Sequence, residues 1–521
     1  MRKIELKATQ WRGSEKPKET RLIQIQRGEW QGEPKQTGLK TAGPVKMEQT
    51  QWTELSGIQE PNVLRQFDGM NLMDPFAIKD NFATRVKNFS TKSYPALKVR
   101  GGSTFVNSFT DQTRGIVEYN GNLVVATQNN LWVDSGGFTA KNPGWTANDM
   151  SFAVFKGSFS QAMLLMTDGA MNPKKFDGTT ISDLAGAQAG GNYVCVHANR
   201  VYIAKNDMLY FSALRKAEDW TTVNDSGSIT VESVEGGNIT GMVPNNQRLT
   251  IFKHNSVHEL YGTNPSNFTL KSVTETIGCP NAKTIQVIDG YVYFLSPDGL
   301  FRYAGGTLPE SEFSLQVRPF LDALSFTSAQ MATSWTDGKR YYISFPYQTT
   351  NKILEYDTEL NTWNAWDMSY NIMTAGSKQD DFVKKKVYVS AFNSVTAKYD
   401  LTLLDETGQD YTGGTTKTIA YEWVSKPFTF ASMAAKNRWL TVWLTASVPS
   451  GSALRVHVSG DETGETWTQV GSFTSSSSLQ SLKFPIPNDV IANRNWVRVR
   501  VEGTGPVTIH EITRQERTLN M

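Results

Sequence analysis

Cysteine is almost absent: Cys195 and Cys279 are the two in the chain. Two thiols exclude a disulfide scaffold and a cysteine-built zinc centre, which needs four ligands. Histidine is scarce, with His197, His254, His258, His457 and His510 the whole complement. An excess of one charge is missing too. Against 52 Lys+Arg stand 50 Asp+Glu, a net +2, so the chain as a whole is no polyelectrolyte seeking nucleic acid. No apolar run approaches the ~20 residues of a membrane helix, so no membrane span is expected. The opening MRKIELKATQWRGSEKPKE has charges but no apolar stretch behind them, and no secretory signal is read there. Apolar residues reach 39% and charged ones 20%, both below the usual globular share. Aromatic side chains are plentiful: 26 Phe, 18 Tyr and 14 Trp can bury a large core, which excludes overall disorder. A length of 521 residues allows about three folded units. The composition reads as a soluble, β-rich protein made in a reducing compartment.

Residues 1–60 stand apart. The first fifty carry eleven Lys/Arg against six Glu, a local +5, while the rest of the chain carries 41 basic against 44 acidic residues. The segment has few aliphatic clusters, no sustained helical period, and turn-forming pieces such as RGSEKPKE and GEPKQTG. It reads as an extended basic arm that is held by a partner or lies over its own domain. Arg2, Lys3, Lys7, Arg12, Lys16, Lys18 and Arg21 could meet phosphates, with Trp11 or Trp30 stacking. Glu5, Glu15 and Glu19 dilute that field, so a solvated or protein-contacting arm is the favoured reading.

From about residue 115 a repeat emerges. An alternating strand, a turn dipeptide and a second aromatic or aliphatic strand recur in NGNLVVATQNNLWVDSGG, NRVYIAKNDMLYFSA, QRLTIFKHNSVHELYG, DGYVYFLSPDGLFRYAGG, DGKRYYISFPYQTTNKILEYD and KKVYVSAFNSVTAKYD. A weaker copy starts at Ser160. The turn dipeptides begin at Asn129, Asp168, Asn206, Asn255, Asp298, Asn351 and Asn393, a mean spacing of 44 residues. Asn and Asp tolerate the positive φ of tight hairpin turns. One hairpin cannot cover its own apolar face, so neighbours must stack. Repeats of this length have room for a four-stranded meander, and they predict an all-β fold containing a β-propeller of six to eight blades over 115–414. Residues 415–521 hold strand-like runs such as RWLTVWLTASV, ALRVHVSG and WVRVRVEG, and predict a C-terminal β-sandwich. Residues 61–114 are read as a linker that helps close the propeller.

The chemistry of catalysis is hard to place. Phosphate-loop and H-E-x-x-H motifs are absent, and GGTTKT at 413–418 lacks the phosphate-loop spacing. His254 and His258 share a strand face only if no turn separates them, and Asn255-Ser256 reads as a turn. SGDETGETW, from Ser459 to Trp467, resembles the sialidase Asp-box with one additional residue between Asp461 and Gly464, and a structural turn is favoured there. Cys195, in YVCVH, reads as a buried strand thiol rather than a nucleophile. The expectation is therefore no enzyme, with no catalytic, cofactor-binding or metal-binding set and no cofactor. Trp443, Trp467 and Trp496 read as core of the C-terminal unit, with sugar-stacking platforms as the rival.

FDGMNLMDPFAIKDNFATRVKNFS…LKVRGG, from Phe67 to Gly102, resembles the start of a family of tailed-bacteriophage virion proteins. There an F-x-G-[LM]-N start and an I-x-x-[NG]-x-[AF] run precede a basic R-G/P-G and the propeller repeats. RWLTVWLTASVPSGSALRVHVSGDETGETWTQV looks like the C-terminal unit of that family, which includes head-stabilisation (plug) and tail-nozzle proteins. The resemblance covers about residues 61–521. It implies a β-propeller followed by a β-sandwich in a structural subunit. Such a subunit forms a homo-oligomeric ring, often six-fold, at the neck or tail. There it joins other virion structural proteins and helps line or close the DNA path, in non-specific proximity to packaged DNA. Localisation would be the virion, after synthesis in the host cytoplasm. The arm's Arg2, Lys3, Lys7, Trp11, Arg12, Lys16, Lys18, Arg21 and Trp30 are then the assembly-contact candidates. A tail-tip receptor- or glycan-binding protein is the alternative, and a propeller hydrolase the further rival.

Overall fold

The structure is a computed structural model that describes residues 23–25, 52–54, 61–380, 384–429, 437–461, 466–474, 479–487, 491 and 494–518. The nine arm residues named above all lie outside the described residues. The described chain is all-β. Between 113 and 404 it forms seven antiparallel meander sheets in succession. Each pairs its strands in chain order, as in Tyr193–His197, Arg200–Lys205, Met208–Phe211 and Gly227–Thr230 of the third sheet.

Turn chemistry builds these meanders. Asn129, Asp168, Asn206, Asn255 and Asp298 fall between the second and third strands of successive sheets. Asn351 and Asn393 instead lie inside strands, and the corresponding turns use Gln348 and Ala397 in the left-handed region. Left-handed residues also build the first hairpin of several sheets, at Asn120, Asn199, Asn246 and Asp289.

Apolar alternation then joins neighbouring sheets. Tyr119, Val124 and Leu131 of the first sheet share a core with Leu164, Met166 and Phe176 of the second. Phe155 and Leu165 of the second pack with Val201 and Ile203 of the third. The third meets the fourth through Tyr202, Phe211, Leu249 and Ile251, and the fourth meets the fifth through Phe252 and Phe294. Tyr293 and Tyr341 stack between the fifth and sixth. Trp335, Ile353, Val387 and Val389 join the sixth to the seventh. Leu401 and Phe109 then meet Ile116, Leu123 and Val125, so the seventh sheet packs on the first. The cycle of shared cores returns to its start.

The outer partner of the last sheet comes from far upstream: Ser103–Phe109 pairs antiparallel with Lys398–Leu404. Residues 62–99, part of the 61–114 segment read from the sequence as a propeller-closing linker, supply strands elsewhere. Asn62–Leu64 and Leu97–Val99 pair with Thr508–Thr518, and Ala83–Lys87 pairs with Ala420–Ser425. They thereby enter both C-terminal sheets, whose inward valines and leucines form one core with the fifth and sixth meanders. Among the described residues no helix is long and apolar enough to cross a membrane.

Candidate functional site

Two places collect polar side chains from distant parts of the chain. The first is a cavity of about 570 Å³ lined by the leading strands of several meanders and the loops just before them. Arg114 reaches it from a register shift between Thr113 and Gly115 in the first sheet, the kind of bulge that re-aims a side chain. Asp149 lies in the loop before Ser151–Phe155. Asp168 anchors that loop by accepting the Asn148 N–H at 3.0 Å, while its other oxygen accepts the N–H groups of Ala170 and Met171. Lys283 sits in a single 3-10 turn, Ala282–Thr284, capped by the Asn281 side chain. The Ser334 hydroxyl donates to the Lys283 carbonyl at 2.9 Å, and Gln286 Nε2 donates to the Ser334 carbonyl.

Asp149 lies between two cations. Its carboxylate is 2.7 Å from Lys283 Nζ and 3.8 Å from Arg114 Nη1. The longer separation exceeds hydrogen-bond reach, and Arg114 Nε is buried with no hydrogen-bond partner among the described residues. Tyr193 also lines the cavity; burial, then the neighbouring Cys279 and Asp149, push its hydroxyl up to about 12. Counting Asp168, the lining carries two cations and two carboxylates, so its formal charges balance.

The second place is the junction of residues 67–100 with the sixth and seventh sheets and the C-terminal unit. Arg100, from the R-G-G that reads as a basic motif, is fully buried. It donates from Nη1 and Nη2 to the two Asp410 oxygens at 2.9 and 2.6 Å, and from Nε to Asn88 Oδ1 at 2.9 Å. Its guanidinium lies 5.4 Å from the centre of the Trp366 ring. Asn88 adopts φ 62° and donates its side-chain amide to the Ala420 carbonyl. Nearby, Glu355 accepts from the Ser90 hydroxyl at 2.8 Å and the Thr91 N–H at 3.2 Å. Arg340 pairs with Asp357 at 2.9 Å and donates to the Thr91 hydroxyl at 2.8 Å. Complete burial pushes the Glu355 carboxyl up to about 7, against the pull of Arg340 and of the hydrogen bonds from Ser90 and Thr91. Phe67 and Met70 of the F-x-G-[LM]-N segment are buried, and the Met70 N–H donates to the Trp363 carbonyl at 2.6 Å. Gly69, at φ 84°, lets the chain pass so close to Trp363 that any Cβ there would overlap its carbonyl oxygen.

Other candidates fall apart or become structural. His254 is exposed at the turn and His258 is buried, its Nε2 2.9 Å from the Ser256 hydroxyl. No cluster of metal-ligating side chains occurs among the described residues. Asp461 accepts the Thr466 N–H at 3.2 Å; the residues between them in the Asp-box-like segment lie outside the described residues. Cys195 and Cys279 are buried, and burial raises both thiols. Trp443, Trp467 and Trp496 are neither deeply buried nor open. Lys483 lies over Trp443, Arg500 over Trp467, and Phe76 packs edge-on against Trp496. Neither Arg114, Asp149 and Lys283 nor the Arg100–Asp410 clamp is singled out by the sequence. The R-G-G run is the one signal that marked any of them.

No protein-family model and no curated protein matches the chain. Among solved structures it is similar to the extracellular domain of the putative one-component system BT4673 from B. thetaiotaomicron, at 9% identity and a TM-score of 0.42, covering 80% of this chain and 62% of that one. It thus spans less than two thirds of that domain's length. It is also similar to PorZ, a bacterial surface component of the type-IX secretion system of Porphyromonas gingivalis, at 13% identity and a TM-score of 0.36, covering 71% of this chain and 46% of PorZ. A third likeness is to the AfRom2 CNH domain, at 9% identity and a TM-score of 0.38, covering 59% of this chain and 99% of the domain.

Proposed function

We propose that the chain is a seven-bladed β-propeller carrying a C-terminal β-sandwich. We further propose that it is a structural subunit of a tailed-bacteriophage virion, forming a homo-oligomeric ring at the neck or tail. In this reading it joins other virion proteins and helps line or close the DNA path, and it is not an enzyme. The junction carries the proposal. Residues 62–99 are woven into both C-terminal sheets, and the chain passes directly from there into the last meander through Ser103–Phe109. The buried Arg100–Asp410 pair and the Glu355 network bind the crossing. Enzymes with two modules commonly use relative motion to close on substrate. An interwoven, ion-paired junction favours fixed geometry, which suits a ring subunit. Heterologous contacts whose rotation closes would generate that ring.

Quantitative mass spectrometry of gradient-purified particles tests the reading. The chain should copurify at a fixed ratio to the other structural proteins, and deletion of residues 1–60 should leave it folded but abolish incorporation. Absence from particles, or normal incorporation of the truncated chain, would contradict it. The alternative of a glycan-binding tail tip draws on the partly open Trp443 and Trp467. Lys483 and Arg500 already lie over these two rings, which favours the assembly reading; glycan-array binding abolished by Trp443→Ala or Trp467→Ala would reverse the order.

A further inference from the structure

We propose that a cavity beside the seventh meander binds a small organic ammonium ion of the choline type, with Asp400 as its counter-ion, a role separate from assembly. The cavity, of about 180 Å³, is walled by the loop before Ile372–Gln379, the turn between Lys385–Asn393 and Lys398–Leu404, and the end of Gln409–Thr412. Asp400 opens on it and carries the one charge of its lining.

That carboxylate is 7% exposed and differs from the others buried so deeply among the described residues. Glu259 pairs with Arg248 at 3.2 Å, Glu355 and Asp357 pair with Arg340 at 3.4 and 2.9 Å, and Glu516 lies 3.7 Å from Arg514. Asp168 accepts three backbone N–H groups. Asp400 has no cation among the described residues, and Lys398, two positions back, makes no ion pair with it. It accepts from Asn393 Nδ2 at 2.6 Å. The Asn393 amide is fixed in turn, because its oxygen accepts the Val395 and Thr396 N–H groups at 3.0 and 3.3 Å. The other polar neighbour is the Tyr411 hydroxyl, raised by burial and then by the Asp400 charge. Both neighbours are neutral, so the charge itself is unmatched. A buried charge without an opposite charge is costly, and an arriving cation removes that cost.

The walls select the kind of cation. Tyr370, Phe392 and Tyr411 line the cavity, and aromatic rings attract ammonium groups through their quadrupoles. Calcium needs about six to eight oxygen ligands, and no cluster of metal-ligating side chains occurs among the described residues. The volume falls below the roughly 300 Å³ at which drug-sized pockets begin, so the guest is small.

Calorimetric titration of the full chain at low salt with choline, its uncharged isostere 3,3-dimethylbutan-1-ol and sodium chloride tests the assignment. Choline should bind, and the alcohol should bind at least about tenfold more weakly, the scale of a desolvated cation–π contact. Sodium at the same concentration should leave choline in place. Asp400→Asn keeps the shape and an acceptor for Asn393, so it should weaken choline at least about tenfold without lowering the melting temperature. Phe392→Leu alters a side chain that is 46% exposed and should weaken choline by about threefold; it keeps the test available if Asp400→Asn fails to fold. The assignment is overturned by no choline binding, by equal binding of choline and the alcohol, by displacement with equimolar sodium, or by full choline affinity in either variant.

Discussion

Gly376 is where the seventh sheet meets the first. A Cβ there would stand 2.5 Å from the Ile116 carbonyl oxygen and 2.7 Å from the Ile116 Cβ and Cγ2. Ordinary carbon contacts lie near 3.5–4.0 Å, so Gly376→Ala forces the two leading strands apart by about 1 Å. Neither side can yield by a rotamer change, because the nearest obstacle is backbone belonging to the ladder between Thr113–Tyr119 and Asn122–Thr127. Inserting one methyl into a close-packed contact of this kind costs about 1–3 kcal/mol. With a shift of about 2–4 °C per kcal/mol for a unit of 150–250 residues, the melting temperature should fall by roughly 2–12 °C. Hydrogen exchange should show lost protection in 113–119 and 372–379, with the C-terminal strands spared. Unchanged melting together with unchanged exchange would refute the closing contact between the last sheet and the first.

Three further outcomes are expected. Glu355 has a folded pKa of about 7 against a reference of 4.5, raised chiefly by burial; its raised value favours the protonated fold, so this contribution to stability is complete below about pH 4.5 and is lost as pH rises through 7. Glu355→Gln should flatten that part of the pH–stability profile, and an unchanged slope between pH 5 and 8 would contradict the assignment. Asp410→Asn leaves the buried Arg100 charge without its anion and should destabilise by about 3 kcal/mol, read by denaturant midpoint; a loss below about 0.5 kcal/mol would make the clamp dispensable. Ellman's reagent should leave Cys195 and Cys279 untouched in the native chain, since both are buried and burial raises both thiols, Cys279 to about 11, and it should modify both after unfolding; rapid native labelling would contradict their burial.

The all-β class was legible because its signals are local. Period-2 runs such as Tyr291–Ser296 and dipeptides such as Asn206-Asp207 and Asp298-Gly299 sit within a few residues of the strands they join. Asn351 and Asn393 misled because an Asn is equally content at a strand end: Asn351 Nδ2 donates to the Ser344 hydroxyl and Asn393 Nδ2 to Asp400. Residues 62–99 were opaque for the opposite reason. Asn62–Leu64 and Leu97–Val99 are too short to display a period, and the strand they join, Thr508–Thr518, lies hundreds of positions downstream. The cavity residues escaped notice because Arg114, Asp149 and Lys283 belong to different sheets or their approaches, and converge only when the leading strands do. The basic Arg100 looked like a surface charge, yet Asp410 and Trp366 make it a buried clamp.

Cryo-electron microscopy of intact particles carrying an epitope-tagged copy of this chain addresses the assembly role most directly. The account requires a ring of copies at the neck or tail, each contributing a wheel of seven meander sheets with the C-terminal unit fixed against it. Particles with no such density, or with the chain present as a detachable monomer, would contradict it.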